Sequence, residues 1–212
     1  MLVEPAFLPD AFPSRRVMTP TATPTSRPRN APVSCAVVTV SDDKTEATDT
    51  SGTRAKDLFH EAGYRVEFYR IVPDDGERIR AVLLHLAGRV EVVVTSGGTG
   101  IARRDTTIEV AQRLVRKPLP GFGELLRMLS FEAIGAEAML TRAMAGLYGR
   151  EDGPVSTLLF CCPSSVAAVE LAMSRLILPD LTHLVWEAVR APAADARAAP
   201  EAISSGPPEP IF

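Results

Sequence analysis

The sequence predicts an α/β fold, a three-layer sandwich in which a mostly parallel sheet carries helices on both faces. Four apolar runs of strand length lie at residues 33–40, 65–72, 90–95 and 155–162. Segments with apolar residues at helical spacing lie between them, and glycine or proline separates the two kinds of segment. Strands that alternate with helices in this order form a parallel sheet covered on both faces.

The segments between and after these runs are predicted to be helices. Thr50 or Ser51 is placed to cap the first helix. Gly63 and Gly88 are placed to end the first and second, because glycine readily adopts the left-handed conformation that stops a helix. The later helices are expected at 107–115, at 121–145 as one long and mostly helical segment, from Ser164 or Ser165 to 176, and at 181–189.

The predicted elements all lie within residues 33–190, which we expect to form one ligand-binding α/β domain. Residues 1–32 contain seven prolines without apolar periodicity, and residues 191–212 are rich in Ala, Pro, Ser and Gly. Segments of this composition bury little apolar surface. We therefore expect two mobile tails.

Composition limits the classes of partner. The formal net charge of −3 argues against a protein that coats nucleic acid, because such proteins carry a basic surplus. The chain has no leader-like start and no run of eighteen apolar residues, so we expect a cytoplasmic protein without a membrane partner. Cys35, Cys161 and Cys162 are odd in number and lie in apolar runs, which favours buried, reduced thiols.

A glycine loop follows the third strand. It reads Thr95-Ser96-Gly97-Gly98-Thr99-Gly100, and Arg103-Arg104-Asp105 comes shortly after it. Glycines let backbone N–H groups face an anion closely, so the loop indicates a phosphate site. The spacing matches neither the dinucleotide-binding pattern nor the P-loop pattern. Taken alone, the loop is equally compatible with an ordinary tight turn.

Aspartates follow three of the predicted strands, namely Asp42, Asp74 and Asp105. The carboxyl ends of parallel strands meet at one edge of a sheet, so these side chains are expected to converge there. Carboxylates repel phosphate unless a divalent cation lies between them. The sequence therefore predicts Mg²⁺ at this edge, although each aspartate alone is also a common turn former.

Several ordered motifs together resemble the MoaB/MogA proteins of molybdenum cofactor biosynthesis. Besides the glycine loop with its Arg103-Arg104-Asp105-Thr106-Thr107 extension, the motifs are Thr39-Val40-Ser41-Asp42, Ile71-Val72-Pro73-Asp74, Pro120-Gly121-Phe122-Gly123-Glu124, Arg127-Met128-Leu129-Ser130-Phe131-Glu132 and Leu140-Thr141-Arg142-Ala143-Met144-Ala145-Gly146. The resemblance covers residues 33–190.

The resemblance implies a molybdopterin adenylyltransferase, which transfers AMP from Mg-ATP to the terminal phosphate of molybdopterin and releases pyrophosphate. It implies catalytic and magnesium-binding roles for Asp74 and Asp105. It further implies a homotrimer or homohexamer, and the molybdate-insertion protein as a partner. The metal of the final cofactor, molybdenum or tungsten, stays open.

The resemblance also assigns two groups of binding residues. The nucleotide-binding group is Ser96, Gly97, Gly98, Thr99, Gly100 and Arg104. The molybdopterin-binding group is Ser41, Asp42, Thr141, Arg142, Pro163 and Ser164. Ser164 stands where the family commonly has glycine, so its side chain is expected to crowd the pterin, with backbone strain if the position needs a positive φ.

Two alternatives remain at this point. A catalytically silent MoaB-type protein would bind molybdopterin or a partner protein without turnover, and the altered segment 161–165 favours it. A nucleotide pyrophosphatase of the competence-damage type uses the same domain with further sequence appended, which the short segment after residue 190 disfavours. The retained Asp74 favours the adenylyltransferase.

Overall fold

The computed structural model describes residues 32–150, 153 and 156–189. The predicted tails therefore lie outside the described residues, except for Pro32. Within the described residues one sheet contains six strands, which are β1 (Ser34–Val40), β2 (Arg65–Val72), β3 (Val92–Ser96), β4 (Val115–Pro118), β5 (Met144–Tyr148) and β6 (Thr157–Cys162).

The strand order in the sheet is β2-β1-β3-β6-β5-β4. Strands β2, β1, β3 and β6 are parallel, whereas β5 runs antiparallel to β6 and β4 antiparallel to β5. The mostly parallel sheet is thus confirmed. Its four parallel strands end at the same edge, which collects their C-terminal loops.

Six α-helices pack on this sheet in the described part of the chain. They are α1 (Thr50–Glu61), α2 (Gly76–Leu86), α3 (Thr107–Leu114), α4 (Pro120–Ile134), α5 (Val166–Ala172) and α6 (Leu181–Val189). A 3₁₀ segment, Gly135–Leu140, follows α4, and a π turn with a short 3₁₀ turn joins α5 to α6. Among these helices none has the length and apolarity that a bilayer span requires.

Two apolar cores lie on opposite faces of the sheet, as the three-layer prediction requires. Alternate residues of one strand enter different cores, so Val37 packs with α1, α4, α5 and α6 while Val38 packs with α2 and α3. β1 and β3 are buried on both faces. This double burial explains their near-continuous apolar sequence.

The prediction of one long helical segment at 121–145 is wrong. Helix α4 ends at Ile134, Gly135 adopts φ +64°, and β5 begins at Met144. β4 is short and largely exposed, and its partner strand contains Gly146, where a Cβ would lie 2.7 Å from the Lys117 carbonyl oxygen. β4 has no apolar run, and the short apolar run of β5 lies so close behind a helical segment that periodicity alone does not separate the two.

Helix ends follow the predicted chemistry with one correction. Gly63 and Gly88 have φ of +79° and +73°, and the Ser165 side chain caps α5. Neither Thr50 nor Ser51 caps α1, since the Asp49 carboxylate accepts the Gly52 N–H there. Aspartate is among the preferred residues at this position.

The three cysteines are buried and free, as predicted. Burial raises the pKa of Cys161 to about 12 and that of Cys35 further. Thiols in this state are poor nucleophiles. We therefore assign them to packing.

Candidate functional site

A pocket lies at the edge where the parallel strands end. It has a volume of about 180 Å³, and loops after β1, β2, β3 and β6 all contribute to it. Its lining consists of Val40, Ser41, Asp42, Asp43, Lys44, Asp74, Gly98, Arg104, Asp105 and Ser164. Seven of the residues assigned from the sequence are thus gathered in one place. The position agrees with the rule that ligands of open α/β sheets bind beyond the carboxyl ends of the strands.

Other predicted site residues do not line this pocket. They are Ser96, Gly97, Thr99, Gly100, Thr141, Arg142 and Pro163. Several of them contact residues that do, so their geometry is given below.

Asp74 lies at the centre of an acidic group in the pocket. Its backbone N–H donates to Asp42 Oδ1 at 3.0 Å, and its Oδ1 accepts from the backbone N–H and hydroxyl of Thr106, each at 3.3 Å. Burial raises the pKa of Asp74, the negative charges of Asp105 and Asp42 raise it further, and the Thr106 hydrogen bonds oppose the shift. The carboxylates are therefore close enough to repel one another.

Asp105 is held at the end of the loop after β3. Its Oδ2 accepts the Ala102 N–H at 2.8 Å, and its own N–H donates to the Ala102 carbonyl at 3.0 Å. A Cβ on Gly100 would lie 2.5 Å from Asp105 Oδ2. The glycine thus lets the loop backbone approach this carboxylate.

The glycine loop packs directly on its neighbours. Gly97 has φ +102°, and a Cβ there would lie 2.2 Å from the Val40 carbonyl oxygen. Gly98 has φ +61°, and a Cβ there would lie 2.2 Å from Thr107 Oγ1 and 3.0 Å from Asp74 Oδ1. Both positions therefore need glycine for conformation and for space.

The backbone N–H groups of this loop divide into two kinds. The Gly97 N–H donates to the Cys162 carbonyl at 3.1 Å, so it serves the structure and not an anion. The N–H groups of Gly98, Thr99 and Gly100 make no hydrogen bond within the described residues. These three N–H groups are therefore available to a ligand. Of the three residues, only Gly98 belongs to the pocket lining.

Ser96 is fully buried at the end of β3. Its hydroxyl lies 3.3 Å from that of Ser51, at the start of α1. The Ser51 hydroxyl in turn donates to Asp49 Oδ1 at 3.1 Å. Ser96 therefore supports the site from beneath the pocket.

Sequence reasoning missed Asp49 and Lys44. Asp49 is 1% exposed, and its Oδ2 accepts the hydroxyls of Thr39 at 2.5 Å and Tyr69 at 2.8 Å. Lys44 Nζ donates to Asp49 Oδ1 at 3.2 Å and to Ser51 Oγ at 2.8 Å. Asp at a preferred capping position was a usable signal for Asp49, whereas nothing in the local sequence distinguishes Lys44.

Two predicted pterin-binding serines adjoin the pocket in different ways. The Ser41 hydroxyl accepts the N–H groups of Asp43 at 3.3 Å and Lys44 at 3.2 Å, which shapes the turn after β1. Ser164 is exposed on the pocket lining. No non-glycine residue of the described chain has a positive φ, so the condition under which backbone strain was expected at Ser164 is not met.

Arg142 contacts the glycine loop from its far side. One guanidinium nitrogen donates to the Gly100 carbonyl at 2.9 Å, and another pairs with the Glu109 carboxylate of α3. Burial alone would raise the pKa of Glu109, but the hydrogen bond and charge of Arg142 lower it. In this arrangement Arg142 ties the glycine loop to α3.

The acidic group suits a magnesium ion that also binds a substrate phosphate. Within the described residues no three His, Cys, Asp or Glu side chains form a ready metal cage. Magnesium, however, is usually held by one or two carboxylates together with substrate phosphates and water. Asp74 and Asp105 face one pocket and suit that mode.

The fold and the pocket define a class: a three-layer α/β domain with an acidic pocket and a glycine loop at the carboxyl ends of its parallel strands. The model of a family described as a probable molybdopterin binding domain matches residues 36–183. Molybdenum cofactor biosynthesis protein B of Bacillus cereus is 46% identical over 168 residues, which cover 77% of this chain and 96% of that protein.

Solved structures give the same result. A crystal structure of a molybdenum cofactor biosynthesis protein B has a TM-score of 0.70 at 45% identity, over 76% of this chain and 99% of that one. The tungsten cofactor synthesizing protein MoaB from Pyrococcus furiosus has a TM-score of 0.67 at 33% identity, over 79% of this chain and 99% of that one. The chain belongs to the MoaB/MogA family, and this membership assigns it to molybdenum cofactor biosynthesis.

Proposed function

We propose that this protein transfers AMP from Mg-ATP to the terminal phosphate of molybdopterin. The observation that carries the proposal is the convergence of Asp42, Asp74 and Asp105 on one pocket beside a glycine loop with unused N–H groups. Acidic side chains next to donors for an anion suit a site that binds phosphates with a divalent cation. Family membership supports molybdopterin as the second substrate.

The proposed reaction needs no covalent intermediate on a protein side chain. An oxygen of the molybdopterin phosphate forms a bond to the α-phosphorus of ATP, the bond from that phosphorus to the bridging oxygen breaks, and pyrophosphate leaves with the electron pair. The attacking phosphate is already an anion, so no side chain has to remove a proton from it. The protein must align two anionic groups and offset their charge.

Asp74 and Asp105 are the residues that would hold Mg²⁺. When bound, the ion supplies positive charge to the phosphate oxygens of ATP. The raised pKa of Asp74 supports this role, because part of it comes from the unrelieved charges of Asp105 and Asp42. A cation placed among these carboxylates lowers that repulsion.

The remaining assigned residues divide between the two substrates. We assign the N–H groups of Gly98, Thr99 and Gly100 to the nucleotide, with Arg104 as a pocket cation that offsets the charge of the departing pyrophosphate. Ser41, Asp42 and Ser164 line the same pocket and are assigned to molybdopterin. Arg142 and Ser96 are assigned supporting roles, since Arg142 hydrogen-bonds the Gly100 carbonyl of the loop and Ser96 joins the loop to Ser51 of α1.

The experiment that tests the proposal is AMP transfer from α-labelled ATP to molybdopterin, with and without Mg²⁺. The wild-type protein is expected to form adenylyl-molybdopterin only with Mg²⁺. Asp105→Asn removes a charge with little change in volume and is expected to lower turnover at least a hundredfold. Asp57→Asn, at an exposed position of α1, is the matched control and is expected to keep full activity. Wild-type protein that makes no product contradicts the proposal.

A catalytically silent molybdopterin-binding protein is the second candidate, because Ser164 places a side chain on the pocket lining where the family commonly has glycine. This candidate predicts that the wild-type protein binds molybdopterin in calorimetry and yields no labelled product in the same assay. Product formation excludes it.

We also propose that the protein forms a threefold oligomer, trimer or hexamer, through the outer face of α4. Leu125, Met128, Phe131 and Ile134 lie at helical spacing and are 47–62% exposed. Met139 and Leu140 of the following 3₁₀ segment are also exposed apolar residues. Apolar patches of this kind on a globular protein commonly mark an interface.

A further inference from the structure

The pocket has a charge imbalance that the proposed function leaves unanswered. Four carboxylates line it, from Asp42, Asp43, Asp74 and Asp105, and two side chains of opposite charge, those of Lys44 and Arg104. We infer that Lys44 is the fixed phosphate-binding cation of this pocket, and that buried Asp49 is the positioning residue that holds it there. The inference rests on the proposed function and deepens it by assigning the group that receives a substrate phosphate.

The contacts of Lys44 leave one donor for a ligand. The side chain is half-buried and lines the pocket, while its ammonium group donates to Asp49 Oδ1 and Ser51 Oγ behind the lining. An ammonium group has three N–H donors. With two of them used, the third is available to an oxyanion in the pocket.

Arg104 is the weaker candidate for this role. It lies on the exposed part of the loop after β3 and makes no hydrogen bond or ion pair with the described residues. A side chain without partners pays conformational entropy when it binds a ligand, whereas Lys44 is already ordered by two hydrogen bonds.

Asp49 is held far more firmly than helix capping requires. Capping α1 uses one hydrogen bond, from the Gly52 N–H, yet the carboxylate also accepts the hydroxyls of Thr39, Tyr69 and Ser51 and the ammonium of Lys44. A Cβ on Gly52 would lie 2.1 Å from Asp49 Oδ2, so that position must be glycine for the carboxylate to fit. These contacts fix the acceptor on which the position of the Lys44 ammonium depends.

The ligand chemistry is a phosphate oxyanion, which an ammonium group recognises as a compact point charge. Both proposed substrates carry one, since ATP has a triphosphate and molybdopterin a single phosphate. Titration of each substrate separately identifies which phosphate Lys44 receives.

The test is calorimetric titration of wild-type protein, Lys44→Gln and Lys117→Gln with Mg-ATP and, separately, with molybdopterin. Lys117 is an exposed lysine of β4, the outermost strand on the side of the sheet away from β1 and β2, and controls for the loss of one charge. Lys44→Gln is expected to weaken one of the two ligands at least tenfold, and Lys117→Gln neither.

Two outcomes overturn the inference in distinguishable ways. If wild-type protein binds either ligand and Lys44→Gln binds both with unchanged affinity, the role of Lys44 is refuted and the proposed function stands. If wild-type protein binds neither Mg-ATP nor molybdopterin, the proposed function and this inference fail together.

A double-mutant cycle tests the positioning role of Asp49. If Asp49 acts through Lys44, Asp49→Asn weakens the affected ligand in the wild-type background and has little further effect in Lys44→Gln. A merely structural role predicts the same loss of affinity in both backgrounds, which refutes positioning. Unfolding by urea, measured on all four proteins, separates the loss of stability from the loss of affinity.

Discussion

Replacing Asp49 by asparagine removes a buried charge that the fold stabilises with several donors. Burial alone would raise the pKa of this carboxyl, but hydrogen bonds from Thr39, the Gly52 N–H, Tyr69 and Lys44 outweigh it and lower the pKa to about 2, from an ordinary value of 3.8. The ionised form therefore stabilises the folded state relative to the unfolded chain.

The size and the pH window of this effect follow from the two pKa values. At about 1.4 kcal/mol for each pH unit between them, ionised Asp49 contributes about 2 kcal/mol at neutral pH. Because the folded-state pKa is the lower one, the contribution is complete above the unfolded value of 3.8 and is lost as pH falls through about 2. About 1 kcal/mol of it is gone at pH 3.

Urea unfolding at several pH values between 7 and 3 measures this contribution directly. The stability of the wild-type protein relative to Asp49→Asn is expected to shrink by about 1 kcal/mol over that range. Asp57→Asn removes an exposed carboxylate from the same helix and controls for the change in net charge. A wild-type advantage that stays constant from pH 7 to pH 3 refutes the reasoning.

Three further outcomes are expected. Phe131→Glu places a charge on the apolar face of α4 and should dissociate the proposed oligomer, as measured by light scattering. A wild-type monomer at micromolar concentration would contradict the proposed interface. Gly97→Ala should lower the free energy of unfolding in urea by at least about 2 kcal/mol, which is more than Gly63→Ala should lower it. Both glycines have a positive φ, but only a Cβ at Gly97 would collide with the Val40 carbonyl. Equal losses of stability would show that the backbone conformation alone determines the cost. Ser164→Gly should tighten molybdopterin binding in calorimetry, leave ATP affinity unchanged and give no gain in stability, since no strain is relieved there; unchanged pterin affinity would mean that the pocket accommodates serine.

The parallel half of the fold is readable in the sequence because burial on both faces demands continuous apolar strands. β1, β3 and β6 satisfy that demand, and the aspartates and glycines after β1, β2 and β3 mark the site edge. β4 and β5 escaped prediction for the opposite reason. β4 is an exposed four-residue edge strand without an apolar run. β5 is apolar but only five residues long, and a run of that length just after a helix cannot be told from the end of the helix by its period.

The site was predicted where chemistry is local and missed where it depends on tertiary contact. Asp74 and Asp105 follow strands, so topology alone brings them together. Lys44 lies in a polar loop, and its placement depends on Asp49, whose partners Thr39 and Tyr69 come from two different strands. The spacing of these residues in the sequence does not predict the contact of Asp49 with Thr39 and Tyr69.

The packing of the glycine loop has a kinetic consequence. Gly97 packs on the Val40 backbone and Gly98 lies against Thr107 and Asp74, so contacts with neighbouring residues fix the conformation of the loop without a ligand. A ligand entering such a site does not have to wait for a slow closing motion, and little ordering of the backbone accompanies its capture. For the proposed ligand Mg-ATP we therefore expect association to be limited by diffusion and by the electrostatic approach of an anion to an acidic pocket. Its rate should rise with Mg²⁺ concentration more steeply than a rate controlled by loop rearrangement.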